Sequence, residues 1–283
     1  MQEEIAKHLE LYRSGRIHRR DLLKSIIAVT GGYTAAHLFL ETSGLSATVI
    51  SSQEAQAADL DAETVTYPSG SVNIEAYLVK PKGEGKHPGI MVIHENRGLN
   101  EHIRDVTRRF AAEGYVALAP DILSRAGGTA KMKSPEAAIA AIGQIPPDQS
   151  VTDLDAGYRF LEKHPNADPD KISSVGFCWG GWRSFMVATR VPTLYRAVVF
   201  YGSTPSDGLQ NIHAPVLAHY AQFDFRITGN AIATEDKMKT LGKQFTYYIY
   251  PSASHAFFND TGPRYDAAAA KLAWSRTLEF LRS

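Results

Sequence analysis

The sequence is poor in cysteine, in net charge and in long apolar runs. Its 283 residues include a single cysteine, Cys178, so no intrachain disulfide can form and no multi-thiolate zinc site can be assembled. That residue is either a small buried hydrophobe or a reactive thiol, and its surroundings must decide. Lys and Arg together number 30 and Asp and Glu number 30. Without a basic surplus there is no electrostatic footprint for a phosphate backbone, and nucleic acid is not an expected partner. The apolar run near the N-terminus, Ser25 to Leu40, is interrupted by Gly31, Gly32 and His37. It falls short of the about 20 predominantly apolar residues that a bilayer core demands, so no stable membrane span is expected in the mature protein. What the chain has in quantity is core material. Hydrophobic residues make up 44% of it and charged residues 21%, which suits one full-sized globular domain with an appendage and rules out general disorder.

The appendage is residues 1–57. A polar stretch ends in Arg19-Arg20-Asp21-Leu22-Leu23-Lys24, the apolar run follows, and small polar residues lead to Ala55-Gln56-Ala57. The order of basic pair, short apolar region and A-x-A pattern is that of a cleavable export signal, with cleavage expected after Ala57. The paired arginines resemble a twin-arginine signal, although Leu22 stands where phenylalanine is usual. This reading makes the twin-arginine translocase a transient partner and the mature protein periplasmic or exported. An ordinary basic amphipathic helix on a cytoplasmic protein is the alternative.

Residues 58–283 alternate strand-like with helix-like segments. A Pro68-Ser69-Gly70 turn separates Val65–Tyr67 from Val72–Lys80 and predicts an antiparallel hairpin. Gly89–His94, Tyr115–Ala119, Ile172–Phe177, Ala197–Phe200, Val216–Tyr220 and Phe245–Tyr250 read as further strands. Several are nearly continuous apolar runs, as strands buried on both faces of a parallel sheet require. Helical spacing covers Glu101–Glu113, Val151–His164, Gly180–Thr189, Thr228–Leu241 and Arg264–Leu281. The alternation predicts an α/β fold, with a mostly parallel sheet and helices on both faces. Residues 124–150, rich in Ala, Gly and Pro, are expected to form an excursion over the active-site end of the sheet.

Gly176-Phe177-Cys178-Trp179-Gly180-Gly181 falls between a predicted strand and a predicted helix. It matches G-x-S-x-G with sulfur in place of oxygen, the nucleophile elbow of the α/β-hydrolases. The glycines leave room for a sharp turn that lifts Cys178 above the sheet at a helix N-terminus, where the dipole favours thiolate. Asp224 follows the strand Val216–Tyr220 and His255 follows Phe245–Tyr250. Nucleophile, acid, histidine is the chain order of that fold. His255 would serve as general base and acid, with Asp224 fixing its tautomer. His94-Glu95 is not a zinc motif, because H-E-x-x-H would need histidine where Gly98 stands. No metal and no cofactor are expected.

Together, the G-x-C-x-G-G elbow, the ordered Cys178, Asp224 and His255, and the loop His94-Glu95-Asn96-Arg97-Gly98-Leu99-Asn100 resemble the dienelactone hydrolase family from Ala62 to Arg282. The resemblance implies a carboxymethylenebutenolidase-like cysteine hydrolase of the α/β-hydrolase fold, acting on a carboxylic ester or lactone through a thioester acyl-enzyme. It further implies that Glu95 contacts the resting thiol and helps ionise it, and that the backbone N–H groups of Asn96 and Trp179 form the oxyanion hole. The family's founding enzymes hold a substrate carboxylate with arginines, one of them four residues after the catalytic histidine. Asn259 stands at that position here, which leaves Arg97, Arg125, Arg226 and Arg264 as candidate substrate ligands. Two other readings remain at this point. One is a cysteine amidohydrolase, opposed by Phe257 standing two residues after His255 where class I glutamine amidotransferases place their acid. The other is a catalytically altered member of the fold that only binds a ligand.

Overall fold

The computed structural model describes Ala55 and residues 58–283. Arg19, Arg20, the apolar run and the expected cleavage point at Ala57 lie outside the described residues. Among the described residues, no helix is long and apolar enough to cross a membrane.

Strands β1 (Leu60–Ser69) and β2 (Val72–Pro81) form the predicted hairpin. Its turn is tighter than the sequence suggested. Ser69 pairs directly with Val72, leaving Gly70 and Ser71 as a two-residue loop in which Gly70 takes φ +61°, the backbone that such loops need. Pro68 lies within β1, tolerated because β1 is an edge strand. The remaining strands are β3 (His87–Ile93), β4 (Val116–Pro120), β5 (Ala167–Phe177), β6 (Ala197–Phe200), β7 (Val216–Ala221) and β8 (Phe245–Tyr250). All eight join one sheet in the order β1-β2-β4-β3-β5-β6-β7-β8. The first two junctions are antiparallel and every other one is parallel.

Helices α1 (Glu101–Ala112) and α7 (Ala267–Arg282) cover one face of the sheet. On the other face lie α2 (Pro135–Gly143), α3 (Pro147–Glu162), α4 (Trp179–Arg190) and α6 (Ala231–Thr240). Side chains alternate along each strand, so Met91 and Ile93 enter the second core while Ile90 and Val92 enter the first. Phe110 of α1 and Trp274 of α7 are fully buried with ring centroids 4.5 Å apart. Burial of each such side chain contributes roughly 1.5–3 kcal/mol.

Several boundaries differ from the sequence reading. The excursion 124–150 contains α2, opened by Ser134, whose side chain accepts from the Ala137 N–H with Pro135 in the first turn. The expected helix Thr228–Leu241 starts only at Ala231, as α6, and a separate single turn α5 (Phe225–Thr228) precedes it. The last helix starts at Ala267 and not at Arg264, because the Asp266 carboxylate caps the Ala269 N–H at 3.0 Å.

Candidate active site

The site lies at the carboxyl ends of β3, β5, β7 and β8, the end of an open α/β sheet at which ligands bind. Cys178 follows β5 directly and takes φ +56°, ψ −113° as the residue preceding α4. A methyl group on Gly176 would stand 1.9 Å from the Gly180 carbonyl oxygen, and one on Gly180 would stand 2.4 Å from that of Ile93. Only glycine at both positions lets the strand turn into the helix this sharply. The thiol is half-buried.

His255 sits in the loop after β8. Its Nε2 lies 3.0 Å from Cys178 Sγ and its Nδ1 lies 2.5 Å from Asp224 Oδ2. Burial disfavours a charge on this imidazole, but the hydrogen bonds and charges of Asp224 and Cys178 outweigh burial and push its pKa up to about 9. An imidazolium beside the sulfur is the partner that a thiolate needs. Four non-glycine residues have positive φ among the described residues: Cys178, Tyr201, Ser252 and Ala256. All belong to this site, since Ser252 and Ala256 bracket His255 and the Tyr201 ring lies 5.1 Å from the His255 ring. Such backbone conformations cost about 1–3 kcal/mol each and persist where packing over-determines them.

Glu95 is 6% exposed. Its Oε2 accepts a hydrogen bond from Asn259 Nδ2 at 2.8 Å, and its Oε1 has no partner among the described residues. The structure hydrogen-bonds Glu95 to Asn259 and the Cys178 thiol to His255, and Glu95 and Cys178 line the same cavity. Asn259 is fixed in turn by its neighbour. Asp260 pairs with Arg109 of α1 and approaches His102 Nδ1 at 3.3 Å, and these contacts hold its carboxyl well below the usual carboxylate range.

Trp179 is the first residue of α4, so its N–H has no carbonyl within the helix to bond, and Asn96 lines the cavity beside Glu95. The Asn96 loop is anchored by His94, fully buried at the end of β3, whose Nδ1 lies 2.7 Å from the Glu95 carbonyl oxygen and whose Nε2 accepts from the Ile122 N–H at 3.2 Å. The His94 ring stacks on Trp179 with centroids 5.3 Å apart and 10° between planes. The guanidinium of Arg183, on α4, lies 3.7 Å from the Trp179 ring centroid and 4.4 Å from that of Trp182. Burial pulls the Arg183 pKa down to about 9, against the charge of Cys178, which leaves it a cation at neutral pH.

A cavity of about 510 Å³ opens over Cys178 and His255. Glu95, Asn96, Asn259, Ile139, Pro263, Arg97, Arg226 and Arg264 also line it; these three arginines are exposed. Arg125 is not part of it. Its Nε and Nη2 form a bidentate pair with the fully buried Asp153 at 2.8 and 2.7 Å, and Nη2 also donates to the Ser69 carbonyl. A buried carboxylate needs that cation, so Arg125 is a structural residue and not a substrate ligand. Sequence reasoning missed Arg183, whose only signal was a charge at helical spacing within the apolar face of α4. It also gave His94 no role beyond the rejected metal motif.

The sequence profile of the dienelactone hydrolase family matches residues 74–283. A Methylorubrum extorquens protein named as a candidate carboxymethylenebutenolidase is 34% identical over 239 residues, covering 79% of this chain and 81% of its own. A Synechocystis protein of the same name is 34% identical over 243 residues, covering 80% and 98%. Among solved structures, a candidate dienelactone hydrolase from Klebsiella pneumoniae superposes with a TM-score of 0.73 at 29% identity, covering 79% of this chain and 99% of its own.

Proposed function

This chain belongs to the dienelactone hydrolase family and is a hydrolase, and we propose that it cleaves a carboxylic ester or lactone with Cys178 as nucleophile. Sγ attacks the carbonyl carbon, forming a C–S bond and moving the π electrons onto oxygen. The N–H groups of Asn96 and Trp179 receive that oxyanion. When the intermediate collapses, the C–O bond breaks and His255 Nε2 gives its proton to the leaving alkoxide, leaving a thioester. His255 then takes a proton from water as the water attacks the thioester, and the second intermediate expels the thiolate. Asp224 holds His255 in the tautomer that these transfers need. Glu95, lining the same cavity, assists ionisation of the thiol.

The observation that carries this reading is the unbroken line from Asp224 through His255 to Cys178 in the lining of an open cavity. Arg97, Arg226 and Arg264 suit a substrate with an anionic group, while Ile139 and Pro263 suit an apolar body. The test is a panel of esters and lactones, with and without carboxylate groups, assayed with wild type, Cys178→Ala and His255→Ala. Turnover with a Cys178-dependent acylation burst is expected. Wild-type turnover by Cys178→Ala would overturn the assignment.

We further propose that residues 1–57 direct export through the twin-arginine route, a reading supported by Arg19-Arg20 and Ala55-Gln56-Ala57. Replacing both arginines with lysine should retain the protein in the cytoplasm with its hydrolase activity intact. Export of that variant at the wild-type level would sink the proposal.

A further inference from the structure

The peptide unit joining Glu95 to Asn96 is engaged at both ends. Its N–H is one of the two donors assigned above to the oxyanion, and its C=O lies 2.7 Å from His94 Nδ1. The other ring nitrogen of His94, Nε2, faces the backbone N–H of Ile122 at 3.2 Å. A backbone N–H can only donate, so Nε2 is the unprotonated acceptor and the single ring proton sits on Nδ1. His94 is thereby held as the neutral Nδ1–H tautomer and donates to the Glu95 carbonyl. Its ring also stacks on Trp179, the residue that carries the second oxyanion donor.

We propose that His94 is the positioning residue of the oxyanion hole, orienting the Glu95–Asn96 peptide through its Nδ1–H while packing Trp179 in place. The inference rests on the acyl-transfer reading above. His94 touches neither the sulfur nor the oxyanion. It acts through a chain of aligned dipoles, Nδ1–H to O=C and then N–H to the oxyanion, in which each hydrogen bond polarises the next. It also blocks the opposite orientation of the peptide, which would turn the carbonyl oxygen toward the developing negative charge.

A merely structural histidine would matter for its grip on Ile122, and two substitutions separate the possibilities. Asparagine places an amide where Nδ1 stands, so His94→Asn keeps a donor for the Glu95 carbonyl. Glutamine places one near Nε2, so His94→Gln keeps an acceptor for Ile122 and loses the donor. Two reactions of the full chain are followed in each variant. One is acylation of Cys178 by p-nitrophenyl acetate, which develops an oxyanion. The other is alkylation by iodoacetamide, which needs the thiolate but forms no oxyanion. Loss of one oxyanion donor costs about 10²–10³-fold, and disordering one donor should cost part of that. His94→Gln is expected to acylate about 10- to 100-fold more slowly than wild type, and His94→Asn within about threefold of it. Both should alkylate within about twofold of wild type, since the thiolate is untouched.

Acylation by His94→Gln as fast as by His94→Asn overturns the proposal, as does alkylation falling in step with acylation. If neither variant folds, nitrogen-15 NMR of the wild-type imidazole decides. A proton on Nδ1 supports the proposal, and a proton on Nε2 removes the donor on which it depends. Cys178→Ala serves as the control for the underlying reading. If that variant retains turnover, the acyl-transfer chemistry fails and the His94 role falls with it. If it is inactive while His94→Gln acylates normally, only the His94 role is lost.

Discussion

At the scale of single residues, the amide of Asn259 sets what Glu95 can do. An arginine would neutralise the carboxylate, whereas the Asn259 amide donates a single neutral hydrogen bond to Oε2 and leaves Oε1 without a partner among the described residues. That leaves one carboxylate oxygen of a cavity-lining side chain open to a neighbouring group. Glu95→Gln keeps the side-chain shape and removes the base. Stopped-flow acylation should slow by about 10²-fold, the scale of a general acid or base, while the thermal midpoint stays unchanged. Acylation at the wild-type rate would make Glu95 a structural group and leave thiol ionisation to His255 alone. The meeting of Cys178, Asp224 and His255 was legible in the sequence because each type sits in the chain order that the fold imposes. The bond from Glu95 to Asn259 was not. It joins side chains 164 positions apart, and no local pattern announces such a contact.

At the scale of elements, the loop from His255 to Asp266 is the wall of the cavity, and its position is set from outside the site. Asp260 is paired with Arg109 and approached by His102, both on α1, while α1 itself begins at the end of the loop carrying Glu95 and is capped there by Asn100 accepting from Ile103 N–H at 3.1 Å. Both partners of the Glu95–Asn259 bond are thus referenced to one helix. Asp260→Asn should lower stability by about 0.5–1.5 kcal/mol, the net worth of a hydrogen bond to an exposed carboxylate. Because the folded-state pKa of Asp260 is depressed, its contribution is present above the ordinary carboxylate range, about pH 4, and fades only as pH falls through the depressed value. Denaturant melts of the two proteins should therefore differ at pH 7 and pH 5 alike, and equal stability at both would show that the clamp contributes nothing. Element boundaries were legible in proportion to burial. The fully buried second half of β5, Ile172–Phe177, was visible as a strand, but its first five residues, Ala-Asp-Pro-Asp-Lys, are mostly polar and partly exposed. They join the sheet only through His87 and Pro88 of β3, with a register shift just beyond. In α2 only Ala138 and Ile142 are buried, too few to impose a helical period on the sequence.

At the scale of the whole molecule, two histidines with opposite shifts act on stability from opposite sides of neutral pH. His219, fully buried on β7, contacts the Tyr250 hydroxyl at 2.8 Å and the Thr277 hydroxyl at 3.0 Å, and so ties two strands to α7. Burial, helped by the Arg276 charge, pulls its pKa down to about 3. The unfolded chain takes up that proton near pH 6.5, so stability is lost as pH falls from about 6.5 toward about 3. His255 runs the other way. Its raised pKa gives a contribution complete below about 6.5 and lost as pH climbs through about 9. In urea melts, His219→Gln should lose less stability than wild type between pH 7 and pH 4, and parallel curves would remove His219 from the account. The alternation of buried strands with helices made this architecture legible from sequence, whereas Arg125 was misplaced because its partner, Asp153, is a carboxylate hidden on another element. The scarcity of sulfur has a practical consequence for anyone working with the protein. Every molecule presents one equivalent of sulfhydryl, and that equivalent is the proposed nucleophile. A chromogenic thiol reagent then becomes a stoichiometric counter, whose released colour measures how many molecules in a preparation are able to react and whose shortfall measures how many have been lost to oxidation.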